Sequence, residues 1–330
     1  MSALRLFTQR LSEPSPPSGV LGGAALASAP GAFPWPEQRL HLAPEPGADT
    51  AWRETWATEG PVLAGQDAGL RWQASHDLLF GLIEVDEPSP GQGPALRERT
   101  REAYARVFAL LHARGVPHLW RVWNYMPDIH GEEDGLERYR CFNLGRHDAF
   151  LAAGRTSDSA MPAASALGSG AGPLSIAFLA ARTAPRPIEN PRQLSAFHYP
   201  GDYGPRPPLF ARAALAQAGH SEEWLFVSGT ASIVGHATLH RGDAVAQCEE
   251  TARNIRAVLE QANRATRSTG HRAEALVHRA YVRHPADMPA VRRCLERCLG
   301  GAGLTLMQAD VCREDLLVEV ESFGRATCLT

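Results

Sequence analysis

The feature that most constrains this chain is a duplication. Leu78–Val85 is an apolar run of strand character. Ala95–Ala113 follows with Leu96, Tyr104, Val107, Phe108 and Leu111 at helical steps, and His118–Tyr125 returns to a strand that ends at Met126-Pro127-Asp128. The same order recurs further on. Glu223–Ile233 opens as a strand and turns at Ser228-Gly229-Thr230. Asp243 then stands as N-cap to Ala244–Leu259, in which Ala244, Cys248, Ala252, Ile255 and Leu259 form one apolar stripe. Ala275–Val282 is a second strand, and Asp287–Leu299 a second helix. Laying Leu78–Asp128 beside Leu225–Asp287 aligns strand with strand and helix with helix. The pattern predicts an α+β fold made of two diverged copies of one unit, each a sheet backed by helices.

Composition narrows the function classes. The 330 residues are 44% hydrophobic and 21% charged, which suits packed cores, and a net charge of −3 offers no basic face for nucleic acid or an anionic membrane. No run of about 18 apolar residues is present, so no transmembrane helix is expected, and Met1–Arg10 lacks the pattern of a secretory signal. The six cysteines are scattered as reduced cytosolic thiols would be, which predicts a cytoplasmic protein. Cys294 and Cys298 lie four apart on a predicted helix, a spacing that without a second pair favours packing over metal.

In chain order, residues 1–50 are rich in Pro, Gly and Ala and are expected to be irregular. Pro14-Ser15-Pro16-Pro17 is non-helical and Val20–Ala24 a candidate edge strand. Residues 51–150 make the first repeat. Within it Leu136–Asn143 is expected as a strand, stopped by Leu144-Gly145-Arg146. Residues 151–222 are expected to hold a linker and substrate loops. Ala149–Gly172 is the linker, Leu174–Ala181 a β-like run, and Phe197–Pro208 a rigid aromatic loop leading into a short helix, Leu209–Ala218, that carries Arg212. Residues 223–330 make the second repeat, closed by strands at Leu304–Ala309 and Leu316–Phe323.

No Walker loop, HExxH, paired CxxC or Gly-x-Ser-x-Gly occurs, and thirteen histidines are dispersed without ligand spacing, so no metal site is expected. What remains is a set of loop arginines and tyrosines: Tyr139, Arg140, Arg146, Tyr199, Tyr203, Arg206 and Arg212. Arginine grips a planar carboxylate by two parallel hydrogen bonds, and a tyrosine hydroxyl beside it donates a third. Several such pairs suit a small di-anion; for any one arginine taken singly, spacing favours a solvated or glutamate-paired side chain. In the last strand Leu316, Val318 and Val320 face one way and Leu317, Glu319 and Glu321 the other. A partly desolvated carboxyl there would serve as a general acid, and periodicity does not separate Glu319 from Glu321.

Four separated stretches, in order, resemble the chorismatase family, which includes the 3-hydroxybenzoate synthases. They are Trp123-Asn124-Tyr125-Met126-Pro127-Asp128-Ile129, Glu137–Arg146, Gln193–Pro200 and Phe226–His236, within a likeness running from about residue 50 to the end. The resemblance implies two YjgF-like (chorismate mutase-like) repeats with mixed sheets, in a fold otherwise found as trimers with clefts between subunits. This chain would be a monomer or a homo-oligomer. It implies chorismate as substrate, no cofactor, binding by Tyr139, Arg146, Tyr199 and Arg212, and Glu319 as the acid that protonates the enolpyruvyl methylene. Product choice in the family follows two positions, placed here at Ala231 and Cys312. Glycine with cysteine goes with 3-hydroxybenzoate, alanine with glutamine with hydrolysis to a dihydroxycyclohexadiene acid. Alanine with cysteine is a mixed pattern, which points to both 3- and 4-hydroxybenzoate, feeding xanthomonadin and ubiquinone pathways. Alternatives are the hydrolytic branch and a YjgF-like binding or deaminating module in which Arg146 and Arg212 face solvent. A pteridine-dependent oxygenase is disfavoured by the lack of a two-His-one-carboxylate cluster.

Overall fold

The computed structural model describes residues 3–9, 18–28, 33–48, 52–86, 95–158 and 161–329. The stretch Pro14–Pro17 lies outside them. Among the described residues the four α-helices are α1 (Leu96–Arg114), α2 (Arg138–Ala152), α3 (Ala244–Ala265) and α4 (Met288–Leu299). Asp243 caps α3 as its position predicts, its carboxylate accepting from the amides of Val245 at 3.1 Å and Ala246 at 2.9 Å. No helix among the described residues is long and apolar enough to cross a membrane.

The duplication is written in the sheets. One has six strands in the order Ala163–Ser169, His118–Pro127, Leu174–Ala181, Leu78–Val85, Leu70–Ala74, Leu63–Asp67. The other, read in the matching direction, runs Leu304–Gln308, Val277–Val282, Val318–Thr327, Glu222–Ala231, Ala213–Ala218, Arg186–Ile188, with Ala43–Pro44 added beyond Leu304–Gln308. In both, the first two of these strands are parallel and the rest antiparallel, so both sheets are mixed. The fold is α+β, with two units of equal topology.

Alternation along the strands gives each sheet two buried faces. Val122, Ile176 and Phe178 pack outward with Tyr104, Phe108 and Phe150 of α1 and α2. Val318, Val320 and Ala280 pack outward with Ile255, Val258 and Leu295 of α3 and α4. The opposite faces meet in one central core that contains Trp120, Trp123, Leu167 and Leu179 of the first sheet and Phe226, Tyr281 and Phe323 of the second, with Trp56 among them. The order is helices, sheet, sheet, helices, and the strand Val318–Thr327 runs through the second sheet's middle.

Four local expectations are corrected. The described part of the first 50 residues is not irregular: Leu4–Gln9, Val20–Leu26 and Glu37–Leu40 join Arg53–Thr58 in a four-stranded sheet, in which Val20–Leu26 is an inner strand. Of Leu136–Asn143 only Leu136–Glu137 is a strand, paired with Glu132–Glu133; α2 begins at Arg138 and continues through Gly145. A Cβ on Gly145 would come within 2.0 Å of the Arg97 carbonyl oxygen, so the glycine lets α1 and α2 approach closely and does not end a helix. Ala149–Gly172 is not a linker. It completes α2 and then forms Ala163–Ser169, whose small residues lie where the two units touch, with Ala163 bridging Ala211 and Gly168 bridging Asp310. Leu209–Ala218 is not helical; Ala213–Ala218 is a strand, because pairing with Glu222–Val227 outweighs the helix preference of alanine. The expected alternation also begins only at Val318, since Leu317 packs with Val318 and Val320.

Candidate active site

A cavity of about 640 Å³ opens between the two units. The seven residues that the family resemblance singles out line it, namely Tyr139, Arg146, Tyr199, Arg212, Ala231, Cys312 and Glu319, as do Arg140 and Tyr203, whereas Arg206 does not. The first unit contributes one face of α2. Tyr139, Phe142, Asn143 and Arg146 fall at helical steps, which puts all four on the cavity wall. The start of α2 is fixed by its neighbours, with the amides of Arg138 and Tyr139 donating to the carbonyls of Gly131 at 2.8 Å and Ile129 at 3.0 Å.

Arg146 and Arg212 are each 3% exposed, so the reading that places them in solvent fails. Arg146 donates through Nε to the Tyr104 hydroxyl at 3.0 Å and through Nη1 to the Leu209 carbonyl. Tyr104 in turn donates to Asn124 Oδ1 at 2.6 Å. Arg212 donates through Nη2 to the Tyr199 hydroxyl at 2.8 Å and to the Leu194 carbonyl at 2.7 Å. Arg313, which the sequence did not single out, stacks its guanidinium over Tyr203 at 3.9 Å and lies 5.3 Å from the Tyr199 ring. Among the described residues, Arg146 Nη2, Arg212 Nε and Arg313 Nη2 are buried donors without a hydrogen-bond partner. Unpaired buried donors are costly, about 1–3 kcal/mol each in mutational data, and three cationic ones lining one cavity suit a small ligand bearing carboxylates.

Glu319 and Glu321 both point into the layer between the sheets, and their surroundings separate them. Glu321 accepts from Arg121 Nη2, from Ser165 Oγ at 2.9 Å, from Arg279 Nη1 at 3.1 Å and from the Tyr281 hydroxyl at 2.9 Å. Burial pushes its carboxyl up, but Arg121 and Arg279 outweigh this and hold it below the usual carboxylate range. Arg279 is also paired with Glu54, a residue of the N-terminal sheet. Among the described residues no guanidinium is hydrogen-bonded to Glu319. Burial, and then the charge of Glu321, push its carboxyl up to about 8, only partly offset by Arg121 and Arg212.

The backbone leaves room for this carboxyl. The pairing of Glu222–Ala231 with Val318–Thr327 slips between Val227 and Thr230, so Ser228 and Gly229 together stand opposite Glu321 in a bulge. A Cβ on Gly229 would meet Glu319 Oε1 at 2.0 Å. Beyond the bulge Ala231 pairs directly with Glu319. Cys312 lies on the neighbouring loop, its thiol pushed up to about 12 by burial and by Glu319, so it is a neutral thiol near pH 7. Tyr139, raised well above its usual value by burial, is likewise a neutral donor.

The chorismatase FkbO/Hyg5-like N-terminal family model matches residues 54–180. A chorismatase of Streptomyces rapamycinicus is 41% identical over 280 residues, covering 83% of this chain and 82% of that protein. This chain belongs to the chorismatase family. A 3-hydroxybenzoate synthase of Streptomyces hygroscopicus is 39% identical over 277 residues, 81% of this chain and 80% of that protein. A chorismatase crystal structure superposes with a TM-score of 0.87 at 34% identity, covering 98% of each chain. Membership of the chorismatase family thus extends over both units and the cavity between them.

Proposed function

We propose that this chain cleaves chorismate to pyruvate and hydroxybenzoates, with Glu319 as the general acid. The observation that carries the reading is the buried Glu319 carboxyl, pushed up to about 8, in a cavity whose walls hold Arg146 and Arg212. Chorismate carries two carboxylates, and each arginine, with Tyr139 or Tyr199 nearby, grips one. Glu319 gives its proton to the enolpyruvyl methylene. The resulting oxocarbenium ion is stabilised by the Glu319 carboxylate just formed; the bond from its ether oxygen to the ring breaks, freeing pyruvate, and the ring returns one proton to that carboxylate as it becomes aromatic. Pyruvate and a hydroxybenzoate together contain every atom of chorismate, so this route consumes no oxidant and no net water.

Ala231 and Cys312 flank the reacting region and form the mixed pattern from which both 3- and 4-hydroxybenzoate are inferred. The relative named 3-hydroxybenzoate synthase supports the aromatic outcome. Alanine at 231 favours a second reading, hydrolysis to a dihydroxycyclohexadiene acid with uptake of one water.

The test is incubation of the purified protein with chorismate, without added metal or cofactor, followed by chromatography of pyruvate and aromatic products. Pyruvate with both hydroxybenzoates is expected. Glu319→Gln should reduce the rate by roughly 10²–10⁴ while leaving chorismate affinity nearly unchanged. A non-aromatic diol acid would move the chain to the hydrolytic reading, and no turnover would overturn both.

A further inference from the structure

Arg283 stands outside the cavity, just after the strand Val277–Val282, with a side chain only 12% exposed. Its guanidinium gathers a single loop. Nε donates to the Leu316 carbonyl at 3.0 Å, Nη2 to the carbonyls of Val311 at 3.2 Å and Arg313 at 2.9 Å, and Nη1 to the Asp310 carboxylate at 2.6 Å. Its backbone amide donates to the Leu317 carbonyl at 3.0 Å. Between these anchor points lie Cys312 and Arg313, both on the cavity wall. Three carbonyls and a carboxylate converging on one planar cation is an arrangement that only a five-donor fork can satisfy.

The same guanidinium reaches the other unit. Nη2 lies 3.2 Å from His130 Nε2, and His130 Nδ1 lies 3.1 Å from Glu137 Oε1, on the residue immediately before α2. With arginine as the donor, His130 accepts at Nε2 and donates from Nδ1 to Glu137. A second tie is made by the backbones: Gly168 donates to Asp310 at 2.7 Å and Asp310 to Gly168 at 3.2 Å. The loop bearing Cys312 is therefore fastened to the helix bearing Tyr139 and Arg146 through Arg283.

We propose that Arg283 is a positioning residue that sets the product distribution, by holding Cys312 and Arg313 at a fixed height over the substrate ring. The inference rests on the chorismate-cleaving reading above. The Arg283 side chain reaches no further along the chain than Leu316, three residues before Glu319, so proton transfer from the paired strand survives a displaced loop. The fate of the cation formed next depends on which group lies within reach of it, and misplacement by a fraction of an ångström redistributes competing routes.

The experiment compares unaltered protein, Arg283→Lys and Asp310→Asn on chorismate, measuring pyruvate release and the proportions of all other products by chromatography. Lysine keeps the charge but places three donors on one atom and cannot span the loop. The Asp310 side chain is 48% exposed, so its variant, which keeps an acceptor oxygen but loses the charge, weakens one tie with little risk to folding. Arg283→Lys is expected to shift the product ratio by roughly threefold or more, or to add a second product, with pyruvate release within about tenfold of the original. Asp310→Asn should shift it less and in the same direction. An unchanged ratio in both variants, or an equal loss of every product, overturns the inference while the functional reading stands. No turnover by the unaltered protein overturns the functional reading and this inference with it.

Discussion

Glu319 and Glu321 stand two residues apart on one face of one strand, and the protein places its arginines on Glu321 alone. The ionised partner then acts on the other: its charge is the second largest cause, after burial, that keeps Glu319 protonated near neutrality. A structural ion pair and a proton donor are thereby made from the same residue type.

The pH profile should show this division. Glu319 acts in its protonated form, so turnover should be level below about 8 and fall tenfold per pH unit above it. Glu321→Gln removes a charge that raises Glu319 and leaves the pull of Arg121, so the alkaline limb should move to lower pH. A midpoint that stays or rises in the folded variant would contradict the coupling.

Stability should fall with rising pH as well, but in the window below that limb. In the unfolded chain the Glu319 carboxyl ionises near its ordinary 4.5, whereas in the folded chain it holds its proton to about 8. Between these values the folded state binds more protons, so stability falls as pH rises through the window, by up to a few kcal/mol at about 1.4 kcal/mol per unit. Glu319→Gln abolishes this dependence. Its Tm should match the parent near pH 5 and exceed it near pH 9; an equal gap at both would sink the argument.

How much of this was legible in sequence depends on how local each signal is. The helix α3, with Asp243 as cap and a stripe from Ala244 to Leu259, needs nothing beyond its own spacing, and it is found where expected. In α2, Tyr139, Cys141 and Asn143 alternate like a strand, and Gly145 resembles a stop until α1 lies against it. Ala163–Ser169 is poor in large residues because another unit touches it, which no local pattern announces. The arginine and tyrosine pairs were legible as chemistry, but the choice between Glu319 and Glu321 needed Arg121 and Arg279, distant in sequence and brought together only by the sheets. Arg313 was missed because its stacking partners, Tyr199 and Tyr203, lie on a loop more than a hundred residues earlier.

Gly229→Ala tests the room above the acid. The added methyl would meet Glu319 Oε1 at 2.0 Å, and the yielding atom is the tip of a side chain, so the fold tolerates it while the carboxyl moves. Turnover should drop by about 10–100-fold with Tm nearly unchanged. Full activity would show that the carboxyl has slack to spare.

Arg146→Lys and Arg212→Lys should each raise KM by roughly tenfold or more, because a lysine cannot reproduce a two-bond grip while also holding Tyr104 or Tyr199. A lysine at 146 also loses the donor to the Leu209 carbonyl. Steady-state kinetics with unchanged KM in either variant would remove that arginine from substrate binding.

The two units also show what fusion permits. In α4 the buried positions are Met288, Val291, Cys294, Leu295 and Leu299, an apolar stripe, whereas its counterpart α2 buries Asn143 and Arg146 on the cavity side. Separate identical subunits would have to copy every such change into both places. On one polypeptide each half drifts alone, one as scaffold and one as wall, and the halves meet at an effective concentration fixed by their tether. Assembly of the two halves around the cavity is therefore indifferent to dilution.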